Sequence, residues 1–402
     1  MSFRYIAGIL GTSPTIVGPV GGEGGTAPGI WSTPDQANYQ ALGLWPKPLI
    51  PKYLWSWGDN ANGQLGLGNT TNYSSPKQVG VLDGWDNIAG GEQHCVATKT
   101  DGTLWSWGNN GSGRLGLGNT TSYSSPKQVG ALTSWLQVGA GNYHSFGIKT
   151  NGTLWAWGNN GGGQLGLGNI LAKSSPVQVG VLTTWLSIAG GQYFSLATKT
   201  DGTLWAWGYN NAGQLGLGNT IDYSSPKQIG ALTNWSKCSA NTNFSVAIKT
   251  DGTLWSWGQN GQGRLGLGNI TYYSSPKQVG ALTNWLSVST GTTFCVANKT
   301  DYTLWAWGEN NYGQLGLGNI TNYSSPKQIG ALTTWLKVAA GQYYEASIKT
   351  DGTLWMWGRN NTGQLGLGDI TNRSSPVQVG VLTTWSKIDS PKMGGRAVAT
   401  ST

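Results

Sequence analysis

A pair of tryptophans separated by one residue returns every 50 residues along this chain, seven times over, and no other feature constrains the fold as strongly. The pairs are Trp55/Trp57, Trp105/Trp107, Trp155/Trp157, Trp205/Trp207, Trp255/Trp257, Trp305/Trp307 and Trp355/Trp357. A further tryptophan follows each pair, from Trp85 to Trp385, so three per repeat account for 21 of the 23 in the chain. Only Trp31 and Trp45 stand outside the pattern.

One unit, residues 135–184, reads as four short strands. The first covers about 135–138, the second 144–149, the third 153–157 after a tight Thr-Asn-Gly turn, and the fourth about 175–179, beyond a long Gly/Asn loop. Such a sheet cannot bury both faces alone, so the copies must stack. An open stack needs atypical capping units, yet the first copy resembles the rest and the last departs only over residues 391–396. Residues 53–402 make seven periods of 50, with no insertion apparent, and each chain end lacks the strand that the other supplies. The expected fold is all-β: a closed seven-bladed propeller of four-stranded antiparallel blades, preceded by a short arm over residues 1–52.

Closure gives the paired tryptophans a structural role. In LWAWG, Leu and Ala point to one face of the sheet and both Trp to the other. Trp55, Trp57, Trp105, Trp107, Trp155 and Trp157 are therefore expected to fill the gaps between blades. Each offers on the order of 4–6 kcal/mol of burial as an upper bound. The 65 glycines fit the same turn-dense architecture.

The net charge of +8 admits an acidic partner. The lysines, however, recur once or twice per repeat (Lys77, Lys99, Lys127, Lys149, Lys227, Lys249) instead of forming a patch, and read as a solvated ring. Nucleic acid is not an expected partner. Cys95 and Cys295 replace the serines of other copies and Cys238 replaces a valine, so all three read as strand fillers without metal-ligand spacing. No run of 18 apolar residues and no secretory apolar stretch after Met1 is present, which implies a soluble protein without a signal peptide.

The repeat resembles that of the regulator-of-chromosome-condensation family. The resemblance is carried by Trp107-Gly108-Asn109-Asn110, by Gly113-Arg114-Leu115-Gly116-Leu117-Gly118-Asn119, by Pro126, and by the Gly90–His94 and Thr100-Asp101-Gly102 turns. It implies a seven-bladed propeller in which both chain ends complete one blade. The nucleotide-exchange activity known in the family does not carry over, because these repeats lack specialised loops. The family histidine persists as His94 and His144 and is otherwise replaced by Phe194, Phe244, Phe294 and Tyr344. The two histidines are read as packing under turns, not as metal ligands.

The arm has a Gly-rich hinge at 18–25 and a small helix signal, with Thr33 as cap, Pro34 at the first helical position and Gly43 as stop. Its PGIWSTPDQANYQALGLWP stretch resembles a short N-terminal motif of tailed-phage virion proteins. That resemblance makes Trp31, Tyr39, Leu42 and Trp45 candidate attachment residues toward other virion proteins.

Alternating strands sort the loops onto two faces. Copy-to-copy differences concentrate where the turn before the second strand and the long Gly/Asn loop emerge. The candidate binding face comprises Asn142, Tyr143, Gln192, Tyr193, Tyr209, Glu309, Gln342, Tyr343 and Arg359. The functional expectation is a non-enzymatic structural protein of a phage virion, a tail fibre or decoration component presenting the propeller to a host-surface glycan or protein. The alternative is a cellular or secreted propeller scaffold mediating protein–protein interaction. No cofactor and no metal is expected: the acids are few and sit mostly in equivalent turns (Asp101, Asp201, Asp251, Asp351), without the converging carboxylates of acid–base chemistry.

Overall fold

The computed structural model describes residues 52–81, 83–390 and 394–401, and the chain divides into Met1–Pro51 and Lys52–Thr402. The proposed attachment residues Trp31, Tyr39, Leu42 and Trp45 lie outside the described residues.

Residues 52–401 form seven four-stranded antiparallel sheets, as the period requires. Blade one has strands Trp85–Gly90, His94–Lys99, Leu104–Gly108 and Tyr123–Gln128, and blades two to six repeat it at 50-residue steps up to Gln378. Strand limits in blade two are Trp135–Ala140, His144–Lys149, Leu154–Gly158 and Lys173–Gln178. The fourth strand thus begins two residues before the expected position, where Lys173 pairs with Gly158. Blade seven joins the chain ends in the order Tyr73–Gln78, Tyr53–Gly58, Arg396–Ser401, Trp385–Asp389.

That closing register corrects the expectation of an insertion-free period. In blade one Thr98 faces Leu104 and Trp85 faces Lys99. In blade seven Thr400 faces Leu54 and Trp385 faces Ser401. RAVATS (396–401) is therefore the counterpart of HCVATK (94–99), displaced by two residues, and the extra length falls in the turn between Asp389 and Arg396. Arg396 occupies the position of the family histidine.

The gaps between blades are filled as the alternation dictates. Leu154 and Ala156 pack with Trp185 and Trp207 toward blade three, whereas Trp157 packs with Leu104 and Trp135 toward blade one. Trp57, Trp107 and Trp157 are fully buried. Trp55, Trp105 and Trp155 are only half-buried, set edge-on against the third tryptophan of their blade at 6.1–6.2 Å. Each inner indole also ties two blades: the Trp157 ring sits 2.8 Å from where a Cβ on Gly116 of blade one would stand. Gly116 has φ +75°, so close approach and backbone conformation both demand glycine there.

Candidate functional site

First strands of successive blades lie against one another, and fourth strands form the outer margin. On one face the Asn109 amide donates to the Gln93 carbonyl at 2.8 Å, joining the Gly/Asn loop to the turn before the second strand. On the other, Trp135 N–H donates to the Gly102 carbonyl at 3.0 Å and Thr100 N–H to that of Gly84 at 2.8 Å. The second face is built from copies of one turn, in which Asp101 accepts from the Thr103 amide and hydroxyl at 2.9 and 2.6 Å. Four further copies repeat this turn with Asp201, Asp251, Asp301 and Asp351.

The first face carries two aromatic–arginine clusters. In one, the Tyr143 and Tyr193 rings lie 5.3 Å apart, Tyr209 meets Tyr193 edge-on at 6.5 Å, and the Arg114 guanidinium stands 5.2 Å over Tyr143. Burial first, then the hydrogen-bonded Glu92 carboxylate, pushes the Tyr143 phenol up, with Gln192 hydrogen-bonding it in the opposite sense. In the second cluster, Tyr312 and Tyr343 lie 5.2 Å apart under Arg359, which is 5.2 and 5.7 Å from the two rings. Burial, then Glu309, raises the Tyr343 phenol, and Glu309 itself accepts from Asn311 at 2.7 Å. The structure thus groups Tyr143, Gln192, Tyr193 and Tyr209, and separately Glu309, Tyr343 and Arg359.

Two expected members differ. Asn142 is buried, 3% exposed, and its backbone links blades by donating to the Gly191 carbonyl and accepting from Glu92 N–H at 3.3 and 3.2 Å. It is a structural residue, not a contact surface. Gln342 serves through its carbonyl, which accepts from the Thr292 amide at 3.3 Å. Arg114 and Tyr312 were missed by sequence reasoning. The signal existed for Arg114, since Arg114 and Arg264 replace the glutamine of the other five copies.

Beneath this face, His94, His144, Phe194, Phe244, Phe294, Tyr344 and Arg396 are all fully buried, one per blade. His94 Nε2 is 2.8 Å from Ser145 Oγ of the next blade, and that hydroxyl donates to the Arg114 carbonyl at 2.7 Å. Burial, reinforced by Arg114, lowers His94 well below its usual range and His144 to about 3, so both stay neutral. Arg396 closes the circle by donating to the carbonyls of Glu92, Gly91 and His94 at 2.8, 3.1 and 2.6 Å. Tyr344 hydroxyl bonds the Arg396 carbonyl in turn. Cys95 and Cys295 take over the serine's role, each with its sulfur toward a loop carbonyl of the preceding blade, at 3.6 and 3.4 Å. Glu345 stands at the same position in blade six, fully buried, and burial raises it well above the carboxylate range.

The first strands enclose a cavity of about 470 Å³ lined in part by Lys237, Lys337 and Lys387. Their ammonium groups are already engaged across blade boundaries: Lys237 donates to the Leu286 carbonyl at 2.7 Å, Lys337 to that of Ser386, and Lys387 to Asp86 at 3.0 Å. Asn87 makes the same tie to the Leu136 carbonyl at 2.9 Å. Among the described residues no group of three or more His, Cys, Asp or Glu could hold a metal, and no helix is long and apolar enough to cross a membrane.

The repeated lysines form a solvated ring only in part. Lys77, Lys127 and Lys227 do lie on exposed fourth strands, over tyrosines at 5.4–5.5 Å. Lys149 and Lys249 are instead buried, 9% and 7% exposed, with the ammonium over two indoles. The second strand's last residue faces the third tryptophan of its blade, which draws the lysine stem inward.

The chain superposes on Prp20p of Saccharomyces cerevisiae with a TM-score of 0.77 at 20% identity, covering 88% of this chain and 92% of that one. It superposes on human WBSCR16 with a TM-score of 0.78 at 20% identity, covering 88% and 99%. A search of curated proteins by sequence returns no match. These structural relatives are proteins of yeast and human cells, and this overturns the expected virion location. The RCC1-like domain pattern matches residues 53–297, and the regulator of chromosome condensation (RCC1) repeat matches 303–348 and 351–390. The chain therefore belongs to the RCC1-like propeller family, as its repeat residues implied.

Proposed function

We propose that the ring is a non-catalytic scaffold that docks a protein partner on its variable face. The observation that carries this is the pair of tyrosine–arginine clusters: Tyr and Arg are the side chains that most often dominate protein interfaces, and here both come from rigid turns. Cross-blade hydrogen bonds pre-organise those turns, which lowers the ordering cost of association. The structural relative Prp20p is itself described by its binding to Gsp1p and histones. A non-catalytic reading is supported by the chemistry beneath the face, where both histidines are neutral, fully buried and engaged with serine or placed beside arginine.

Immobilised full-length chain exposed to extract of its source cells tests the proposal. The expected result is a saturably retained protein that Tyr143→Ala combined with Tyr193→Ala releases. Retention unchanged in that variant, or no saturable partner at all, removes the reading.

A further inference from the structure

Four gaps between neighbouring blades hold pockets of 350–530 Å³, three of them lined by equivalent residues and the fourth, between blades two and three, by most of the same set without its lysine. Small-ligand sites fall in the range of about 300–1,000 Å³. Between blades one and two the walls are Leu117, Leu132, Trp155 and Pro176, with Gln128, Lys149 and Ser175 as the polar side chains. Leu132 is 53% exposed at the rim, whereas Lys149 is 9% exposed. The Lys149 ammonium stands 5.0 Å from the Trp135 ring centroid and 3.8 Å from that of Trp155. Among the described residues it has neither an ion pair nor a hydrogen bond. Burial lowers its pKa. The indole faces balance part of the charge but accept none of its three N–H donors conventionally, so those donors remain for whatever enters the pocket.

The device is repeated. Lys249 and Lys349 line the corresponding pockets, and Lys99, Lys199 and Lys299 sit over the same two indoles in their blades. Blade seven departs: Ser401 holds the register position, and its hydroxyl accepts from Trp55 Nε1–H at 2.9 Å. Six blades thus hold a lysine over the two indoles and the seventh does not.

We propose that these gaps bind carboxylated sugars, the carboxylate on the lysine, the apolar ring face against Leu132 and Pro176, and hydroxyls on Gln128. An apolar wall with one cation, one amide and one hydroxyl matches a pyranose that carries a single acid group among its hydroxyls. Identical sites at fixed spacing gain most from a polymer of identical units, which a polyuronate supplies and a folded protein partner does not. The site is separate from the tyrosine face, so either proposal stands without the other.

Titration calorimetry of the full-length chain with tri-galacturonate, against maltotriose as the neutral control, tests this. Saturable binding at about six equivalents is expected, with maltotriose at least tenfold weaker, as loss of a charge-assisted bond implies. Lys149→Gln, Lys249→Gln and Lys349→Gln together should halve the stoichiometry, the corresponding Lys→Arg triple should keep it, and Ser401→Lys should add one equivalent. Should the glutamine variant fail to fold, the Ser401→Lys gain decides. No saturable binding of tri-galacturonate, equal affinity for maltotriose, or a stoichiometry indifferent to these substitutions overturns the proposal.

Discussion

The two faces of the ring are made from the same 50-residue unit and have been put to different use. On the Thr-Asp-Gly face, one side-chain solution recurs: an aspartate oxygen satisfies a threonine amide and hydroxyl, and a glycine or its substitute returns the chain. Side chains there are committed to the turn. On the opposite face main-chain bonds join the turns within a blade, as from Asn109 N–H to the Gln93 carbonyl, and between blades, as from Asn142 N–H to the Gly191 carbonyl, and the side chains at the tips differ from copy to copy. The difference teaches that variation gathers beyond the fixed side-chain bonds: Asn110 Oδ1 accepts from Leu115 N–H and each copy repeats that bond, while the tip residue changes to Tyr209, Glu309 or Arg359. Among the described residues, the contacts of tyrosine with tyrosine and with arginine lie on that face.

The largest effect should come from the face where side chains vary. Tyr143→Ala with Tyr193→Ala should weaken partner binding by over a hundredfold, as loss of two interface anchors implies, with an unfolding midpoint close to wild type. Binding calorimetry beside thermal unfolding checks both halves. Beneath the same face, Arg396→Ala removes three charge-assisted bonds to main-chain carbonyls. It should cost about 3 kcal/mol in denaturant unfolding, because buried acceptors lose their donor.

Glu345→Ser, which installs the residue of blades two to four, should stabilise the ring. The folded state holds Glu345 protonated because burial raises its pKa above the ordinary value of 4.5. As pH rises past that value the unfolded chain releases a proton that the folded chain keeps, so stability falls with pH. The gain from substitution should therefore be greater at pH 7.5 than at pH 4.5, read from thermal unfolding at both. The buried His144 gives the opposite slope, costing stability as pH drops from 6.5 toward about 3. The smallest effect belongs to the uniform face, where Tyr302 takes the glycine's place at φ 60°. Tyr302→Gly should stabilise by about 1 kcal/mol and leave partner binding unchanged, since left-handed backbone strains a residue with a Cβ.

The blades, their four strands and the opposed facing of Leu and Trp were legible because a 50-residue period and a two-residue alternation each leave a local trace. The two-residue extension of the last repeat was not. Arg396 differs from His94 and Tyr344, and the surrounding turn shares nothing with its counterparts, so only pairing of Thr400 with Leu54 reveals the phase. Burial of Asn142 was equally hidden, since a polar residue in a turn reads as exposed until the next blade's Gly191 is placed beside it. The lysines were misjudged for the same reason: Lys149 meets Trp135 and Trp155 across strands, a contact without a sequence-local signature. Of the binding face, Tyr143, Tyr193, Tyr209 and Tyr343 were found by variation alone, whereas Arg114 and Tyr312 needed a fold to bring them against Tyr143 and Tyr343.

The claim that the variable face carries the function is tested most directly by photo-crosslinking from each face in turn. A benzoylphenylalanine is placed at Tyr193 in one full-length variant and at Thr133, on the Thr-Asp-Gly face, in another. Irradiation in extract of the source cells should yield a discrete crosslinked protein from position 193 and none from position 133. The same crosslinked protein from position 133 alone, or equally from both, would contradict the assignment of the binding face.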